Sequence, residues 1–353
     1  MTVRSAALRF FSASPFRRRL FGGAVLLSIA LSGLYIGTGL SGLHLPGLLT
    51  GGRESPDESW VGTTLVPLPL SQAVRPLSAA HLENLLDQAD FDLDAVRAGT
   101  AQVQGLYVRR LPGDLVSVPE TARRKRLFFG AVLPLVLMAN QELWTTRNQV
   151  LQFRERYSRR VTASEFTPDQ PLLDDSEQRW LETLHARYGT KPGDWDALLL
   201  RLDEVPVSLI MAQAIQESGW GTSRFVRLGN ALFGQRTWNA ADGGLVPDLR
   251  DDGMTHRVKS FPDLMAAVRA YMHNLNTHGA YRKMRLQRAE LRQNPVARPG
   301  IALAATLTRY SEENKGYVKA LTGLIRDNDL SSLNKARLRG SPEQVVSRPD
   351  AGV

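Results

Sequence analysis

One carboxylic acid in the chain stands where it could donate a proton. Glu217 falls in the last turn of a helix that the sequence predicts between Pro206 and Gly219, since proline suits a first turn and glycine a left-handed exit. A carboxylate beside the negative end of a helix dipole is disfavoured when ionised, so we expect the pKa of Glu217 to be raised. The neighbouring Trp220 would remove it further from water. Such an acid could protonate the leaving oxygen of a glycosidic bond.

Position alone does not distinguish Glu217 from an ordinary surface glutamate, but its surroundings do. The chain there contains Ala212, Gln213, Ala214, Glu217, Ser218, Trp220 and Gly221, followed by Asn230, Leu232, Phe233 and Gly234. This order resembles the signature of the glucosaminidase family of peptidoglycan hydrolases, glycoside hydrolase family 73. The resemblance covers about residues 198–330, and its later elements are Phe261, Tyr271, Ala280, Tyr281, Tyr310 and Tyr317.

The resemblance implies a lysozyme-like α fold and cleavage of β-1,4 bonds between amino sugars in peptidoglycan, without a cofactor. Glu217 corresponds to the catalytic proton donor, and Tyr310 matches a catalytic-site tyrosine near that acid. The substrate-binding residues would be Trp220, Asn230 and Phe233, which would shape the wall of the cleft. Each of these could equally be a packed core residue.

The sequence leaves the partner of this acid open. Two-carboxylate glycosidases separate their carboxyl groups by about 5–5.5 Å when retaining and roughly 6.5–9.5 Å when inverting. No glutamate occurs between Gly234 and Phe261. The nearby aspartates are Asp242, Asp248, Asp251, Asp252 and Asp263. Asp248 or Asp251 could act as a base, although solvated loop aspartates are the simpler interpretation, and assistance by the N-acetyl group of the substrate would make a base unnecessary.

The region before this motif has a resemblance of its own. The segments LPGDL and RRKRLFFGAVLPLVLMANQEL, with the following Arg147, are similar to the helical region of bacterial Bax proteins. The pairing of the two regions implies one extended unit. The apolar run at 127–139 contains Pro134 and is too short to span a membrane as a helix, so we predict a buried core helix.

The N-terminus predicts the compartment. Residues 20–43 are uncharged and long enough to cross a bilayer, and residues 17–19 are three arginines that should stay cytoplasmic. A cleaved signal peptide is the alternative, but the run exceeds the usual length and lacks a clear cleavage site. We expect an uncleaved anchor in the inner membrane and a catalytic domain in the periplasm of the cell envelope.

The remaining patterns give a mainly α fold with one small β-hairpin after residue 230. The predicted organisation is a basic cytoplasmic stub (1–19), a transmembrane anchor or signal segment (20–43), a flexible linker (44–77), a Bax-like helical region (78–190), a glucosaminidase domain (191–330) and a disordered tail (331–353). Local cap signals are Ser78 before one helix and Gly189 after another.

Composition removes several function classes. The chain has no cysteine, which excludes disulfides and thiol chemistry. Five arginines within the first 19 residues supply over half of the net charge of +9, so nucleic acid is not an expected partner. His256, His273 and His278 lack zinc-site spacing, so no metal is expected. The alternatives to a glucosaminidase are a lytic transglycosylase or muramidase of the same fold and a non-catalytic scaffold that binds peptidoglycan glycan strands.

Overall fold

The computed structural model describes residues 73–162, 173–239, 243–247, 255–296, 298–307 and 313–341. This part of the chain is mainly helical, as predicted, with two sheets of two short strands each. Its α-helices are α1 (Ala79–Gln88), α2 (Leu93–Ala98), α3 (Thr121–Thr162), α4 (Asp175–Tyr188), α5 (Trp195–Arg201), α6 (Val207–Ser218), α7 (Arg224–Gly229), α8 (Leu264–Thr277), α9 (Arg282–Gln293), α10 (Pro299–Ala304) and α11 (Glu313–Asp327). The predicted stub, membrane segment and most of the linker lie outside the described residues.

Helix ends follow the local signals in the sequence. Ser78 caps α1, where its Oγ accepts a hydrogen bond from the backbone N–H of His81 at 3.1 Å. Asp174 and Glu177 form a reciprocal capping box at the start of α4. Gly189 ends that helix in the left-handed conformation, with a φ of 61°. Both cap predictions are confirmed.

Helix α3 is the central helix of the described fold. An 18-residue stretch of this helix is long and apolar enough to cross a membrane. However, 78% of that stretch is buried inside the structure. Its buried side packs against α6 and α8, and Phe128 and Phe129 are almost completely enclosed. The buried core helix predicted for 127–139 is confirmed.

The main hydrophobic core crosses the predicted boundary at residue 190. Leu133 of α3, Ile210 of α6 and Val268 of α8 belong to the same buried cluster. A second, smaller cluster joins the later half of α3 to α4 and α5, and its members are Val150, Phe153, Leu181, Leu184, Tyr188, Leu198, Leu199 and Leu202. Because α3 contributes to both clusters, the helical region and the motif-bearing region pack as one body.

A buried ionic cluster ties α3 to α9. Asp203 is 2% exposed, and three arginines converge on its carboxylate: Arg147 from α3 and Arg288 and Arg292 from α9. Arg288 also donates to the backbone carbonyl of Glu204 at 3.1 Å. A charge in such a place is tolerated only when it is paired and hydrogen-bonded.

Two small sheets complete the fold. Strands β1 (Ala73–Val74) and β2 (Tyr107–Val108) pair in parallel, with Ala73 opposite Tyr107. Strands β3 (Arg236–Thr237) and β4 (Arg257–Val258) pair antiparallel, which confirms the predicted small hairpin.

The folded part also extends past both ends of the predicted 78–330 range. Strand β1 lies in the segment assigned to the linker. Residues 330–335 form a 3₁₀ segment (Leu330–Lys335) in which Leu333 is fully buried, and Leu338 bridges to Val103. The polar composition after residue 330 suggested disorder, but these apolar side chains cover the main core.

Candidate active site

The helix that carries Glu217 is held almost entirely within the protein. Every residue from Val207 to Ile215 in α6 is buried, because the helix runs between α3, α11 and the C-terminal 3₁₀ segment. Glu217 lies half-exposed in the last turn. Gly219 then takes a φ of 56°, so the chain leaves the helix in the left-handed conformation. The predicted position of Glu217 at a helix end is confirmed.

The side chain of Glu217 lines a pocket with about 430 Å³ of empty volume, open solvent included. The side chains around it come from α6, α8, α11 and the loops between them. The lining residues are Gln213, Glu217, Phe233, Gly234, Gln235, Tyr271, Asn274, Tyr281, Leu307 and Tyr317. Among these described residues, Glu217 is the one carboxylate. The pocket therefore surrounds a single acid with aromatic rings and amides.

The charge of this acid acts on two buried tyrosines, one of which is hydrogen-bonded to it. The Tyr317 hydroxyl donates a hydrogen bond to the carboxylate of Glu217, and the Gln213 amide donates to the Tyr317 hydroxyl oxygen at 3.4 Å. Burial raises the pKa of Tyr317 well above its usual value, and the charge of Glu217 raises it further. The pKa of Tyr271 is raised mainly by burial and also by Glu217, while the Gln213 amide hydrogen-bonds its hydroxyl. Both phenols therefore stay protonated and can act as donors.

An aromatic wall faces Glu217. The rings of Phe233 and Tyr271 stack with centroids 4.1 Å apart and planes 6° from parallel. The next residue, Gly234, has a φ of 59°, and a Cβ there would lie 3.6 Å from Glu217 Oε2. Glycine at this point lets the loop pass close to the acid. Phe233 thus lines the same pocket as Glu217.

Two amide oxygens in the pocket have no hydrogen-bond partner in the described part of the chain. They are Oε1 of Gln213 and Oε1 of Gln235, and both are buried. An unsatisfied buried acceptor is costly. A bound molecule with N–H or O–H groups would satisfy these oxygens.

Trp220 does not line the pocket. Its ring packs edge-on against Phe128 and Phe129, with centroid distances of 5.6 and 5.8 Å. The ammonium of Lys125 lies 4.8 Å from the centre of the Trp220 ring, a cation–π contact. The turn that follows Glu217 is therefore anchored on α3, and Trp220 supports the site from behind.

Asn230 is also behind the pocket wall. It takes a φ of 52° at the end of α7, and its Nδ2 donates to the carbonyl of Phe261 at 3.0 Å. Asparagine tolerates this left-handed conformation better than most residues. Asn230 fixes the loop that delivers Phe233.

Comparison with known proteins supports the family resemblance of the sequence. The family described as mannosyl-glycoprotein endo-beta-N-acetylglucosaminidase, the glucosaminidase family, matches residues 196–330. Residues 196–330 are a glucosaminidase domain. The chain is also similar to protein bax of Escherichia coli (strain K12), with 28% identity over 215 residues that cover 61% of this chain and 73% of that protein. No solved structure matches the chain.

Three tyrosines of the family-like motif line the described pocket, whereas the position of the fourth, Tyr310, is not tested. Tyr310 lies outside the described residues. The described lining of the pocket contains Tyr271, Tyr281 and Tyr317. All three belong to the same motif as Tyr310, so the signal was present, but only the packing of α8 and α11 against α6 shows which hydroxyls meet Glu217.

The candidate second carboxylates are not part of the described pocket. Asp242, Asp248, Asp251 and Asp252 lie outside the described residues. Asp263 is described, and it caps α8 by accepting from the backbone N–H of Ala266 at 2.8 Å. It also accepts from the Tyr107 hydroxyl at 3.0 Å. Both contacts give Asp263 a structural role.

The histidines considered for a metal site lie in three separate surroundings. His256 contacts the ring of Trp238, His273 contacts that of Tyr188, and His278 caps the short 3₁₀ helix Gly279–Tyr281. Within the described residues, no group of three histidine, cysteine or acidic side chains is placed to hold a metal ion.

Proposed function

We propose that this protein is a peptidoglycan hydrolase, an endo-β-N-acetylglucosaminidase that cleaves β-1,4 bonds of cell-wall glycan strands with Glu217 as the general acid. One observation carries the proposal. Within a glucosaminidase domain, Glu217 lies in the last turn of a buried helix and accepts a hydrogen bond from Tyr317. The domain family is a glycosidase family, which supports the proposed activity, and a protein that acts on peptidoglycan would work in the cell envelope.

The chemistry follows from the groups around Glu217. As the glycosidic bond breaks, the protonated carboxyl group transfers its proton to the departing oxygen. The carboxylate that remains is negative, and the hydroxyl of Tyr317 is positioned to donate to it. Gln213 orders this hydroxyl by donating to its oxygen, so the donor is aligned before the reaction begins.

The wall opposite Glu217 is suited to an amino sugar. The stacked pair of Phe233 and Tyr271 offers an apolar ring face, while the carbonyl oxygens of Gln213 and Gln235 lack donors in the described structure. The acetamido N–H and the hydroxyls of an N-acetylated sugar are donors. We expect these amides to hold the substrate in register with the acid.

The group that attacks the anomeric carbon has two candidates. One is the acetamido oxygen of the substrate, which gives a retained configuration. The other is a water activated by a hairpin aspartate such as Asp248 or Asp251, which gives inversion when the carboxyl groups are about 6.5–9.5 Å apart. Proton NMR of the first product formed distinguishes the two outcomes.

The overall setting of the enzyme is part of the proposal. We expect the fold to be lysozyme-like and the helical region and glucosaminidase domain to form one unit, held at the inner membrane by residues 20–43 with the catalytic domain in the periplasm. Reporter fusions after residue 77 that are active only outside the cytoplasm test this orientation. Cytoplasmic activity of the reporter would refute it.

Digestion of purified peptidoglycan tests the activity. The wild-type protein should release fragments with reducing N-acetylglucosamine ends, identified by mass spectrometry, and Glu217→Gln should release almost none. Glu177→Gln is a matched control, since Glu177 caps α4 and does not line the pocket. Anhydro-muramic ends would show a lytic transglycosylase, reducing muramic ends a muramidase, and equal release by Glu217→Gln would remove Glu217 from the reaction.

A further inference from the structure

The acid of the candidate active site and its hydroxyl donor stand on different helices. Glu217 lies in the last turn of α6, and Tyr317 lies in α11, which packs against α6. A hydrogen bond between two oxygens needs a separation of about 2.5–3.0 Å and weakens steeply when it is misaligned. A group that holds the ends of both helices would therefore control this bond.

Lys125 of α3 contacts the end of each of these helices. Its ammonium lies 4.8 Å from the centre of the Trp220 ring, and Trp220 belongs to the turn that follows Glu217. The same ammonium donates a hydrogen bond to Asn328 Oδ1 at 2.7 Å, and Asn328 is the residue that follows α11. One charged atom thus joins the turn behind the acid to the helix that carries Tyr317.

Asn328 is fixed to the end of α11. It is 9% exposed, and its backbone N–H and its Nδ2 both donate to the carbonyl of Leu324, at 3.3 and 3.0 Å. Asn328 comes 11 residues after Tyr317, which at 3.6 residues per turn is close to three full turns. The two residues therefore face the same side of the helix, and a shift of one is carried to the other.

Arg97 of α2 holds Asn328 as well. Its guanidinium donates to the backbone carbonyl of Asn328 at 2.8 Å and lies 5.6 Å from the centre of the Phe129 ring. That ring packs edge-on against Trp220. Two cations, two rings and one asparagine thus form a connected cluster, and none of the five lines the catalytic pocket. Any effect of Lys125 on the reaction is therefore transmitted through the position of other groups.

We propose that Lys125 is a positioning residue that aligns Glu217 with Tyr317 by holding the turn after α6 and the end of α11 together. A cation suits this role, because it is attracted to the face of an indole ring and forms a strong hydrogen bond at the same time. The inference rests on the proposed function and deepens it. Lys125 precedes the glucosaminidase domain at 196–330, so the helical region takes part in aligning the active site.

Kinetics of peptidoglycan digestion test the proposal, at a temperature where each variant is fully folded. Lys125→Met keeps most of the apolar stem and removes the ammonium, so we expect kcat to fall by about 10-fold or more. KM should stay within about twofold, because Phe233 and Tyr271, which form the proposed wall for the sugar, do not belong to the cluster. Lys125→Arg keeps a cation and a donor and should restore most of kcat.

The neighbouring residue supplies a matched control. Arg126 lies on the same helix and pairs with Asp87 of α1, so Arg126→Met removes a charge and a contact but leaves the cluster intact. This variant should keep the wild-type kcat. The double variant Lys125→Met/Tyr317→Phe should have about the kcat of Tyr317→Phe alone, because both substitutions remove the same contact. Independent effects would multiply instead.

A measurement that does not require hydrolysis completes the test. Carbon-13 NMR titration of the Glu217 carboxyl carbon, assigned by comparison with Glu217→Gln, reports the pKa of this acid. A hydroxyl bonded to the carboxylate favours the ionised form. The pKa of Glu217 should therefore be higher in Lys125→Met than in the wild type, as in Tyr317→Phe, and unchanged in Arg126→Met.

Three outcomes would overturn the inference: wild-type kcat in folded Lys125→Met, no recovery with Lys125→Arg, or an unchanged pKa of Glu217 in Lys125→Met. If Lys125→Met does not fold, Asn328→Ala removes the acceptor and leaves the contact with Trp220, and it should shift the same pKa upwards. If Glu217→Gln digests peptidoglycan as well as the wild type while this pKa still depends on Lys125, the proposed function fails and the alignment stands.

Discussion

Gly221, four residues after Glu217, should be essential for the turn that supports the acid. It has a φ of 76°, and a Cβ at this position would lie 2.4 Å from Leu111 Cδ1 and 3.2 Å from Leu115 and Phe128. Gly221→Ala therefore adds two costs. An alanine in the left-handed region costs roughly 1–2 kcal/mol, and overpacking of a filled core costs typically about 1–3 kcal/mol. We expect the free energy of unfolding to fall by about 2–5 kcal/mol.

Gly99→Ala separates these two costs. Gly99 has nearly the same φ, 75°, but a Cβ added there would meet nothing within 4 Å. This variant should lose only the backbone share, roughly 1–2 kcal/mol. Urea unfolding followed by tryptophan fluorescence measures both variants. If the two substitutions cost the same, the contact between the turn and the helical region contributes nothing and the reasoning fails.

The Gly221→Ala substitution should also affect the candidate active site. The three residues that its Cβ would meet precede the glucosaminidase domain at 196–330. Because they would push on the turn after Glu217, we expect Gly221→Ala to lower kcat in peptidoglycan digestion under conditions where the variant is fully folded. Gly99→Ala should keep wild-type activity. Full activity of folded Gly221→Ala would show that the turn does not position the acid.

Three further perturbations test other parts of the structure. Tyr317→Phe removes the hydroxyl that donates to Glu217, so kcat should fall by about 10- to 100-fold and the alkaline limb of the pH profile should move to higher pH; unchanged kcat and profile would contradict the contact. Burial depresses the pKa of His273 to about 4, so the folded protein favours the neutral imidazole. The free energy of unfolding should therefore be constant above pH 6.5 and fall by up to about 3 kcal/mol as the pH is lowered from 6.5 to 4. Plots of the free energy of unfolding against pH should diverge between wild type and His273→Phe in this pH range. Parallel plots would contradict the burial of His273. Asp203→Asn leaves Arg288 buried without its charge partner, so urea unfolding should show a loss of about 3–5 kcal/mol; a loss below about 1 kcal/mol would show that the cluster is not needed.

Much of the local structure could be predicted because it depends on neighbours in sequence. Ser78 and Gly189 mark helix ends through hydrogen bonds and φ values that need only a few adjacent residues. The buried run of α3 was visible as an apolar segment too short for a membrane. The small hairpin followed from glycine spacing.

The composition of the site was harder to predict because its members are far apart in sequence. Gln213 and Tyr317 are separated by 104 residues and meet only when α11 packs against α6. Trp220 was expected in the cleft wall because of the family resemblance. Its direction is set by the positive φ of the turn and by Phe128 and Phe129, which the motif does not contain.

By itself the sequence determined the helix that carries Glu217, the place of the acid in its last turn, and the family to which residues 196–330 are matched. These depend on short-range order, which a motif records. Tertiary structure alone decided that Tyr317 donates to Glu217, that Trp220 supports the site from behind, and that residues after 330 belong to the fold. The physical reason is that burial and hydrogen bonding between distant segments are properties of packed helices, and no local pattern of residues specifies them.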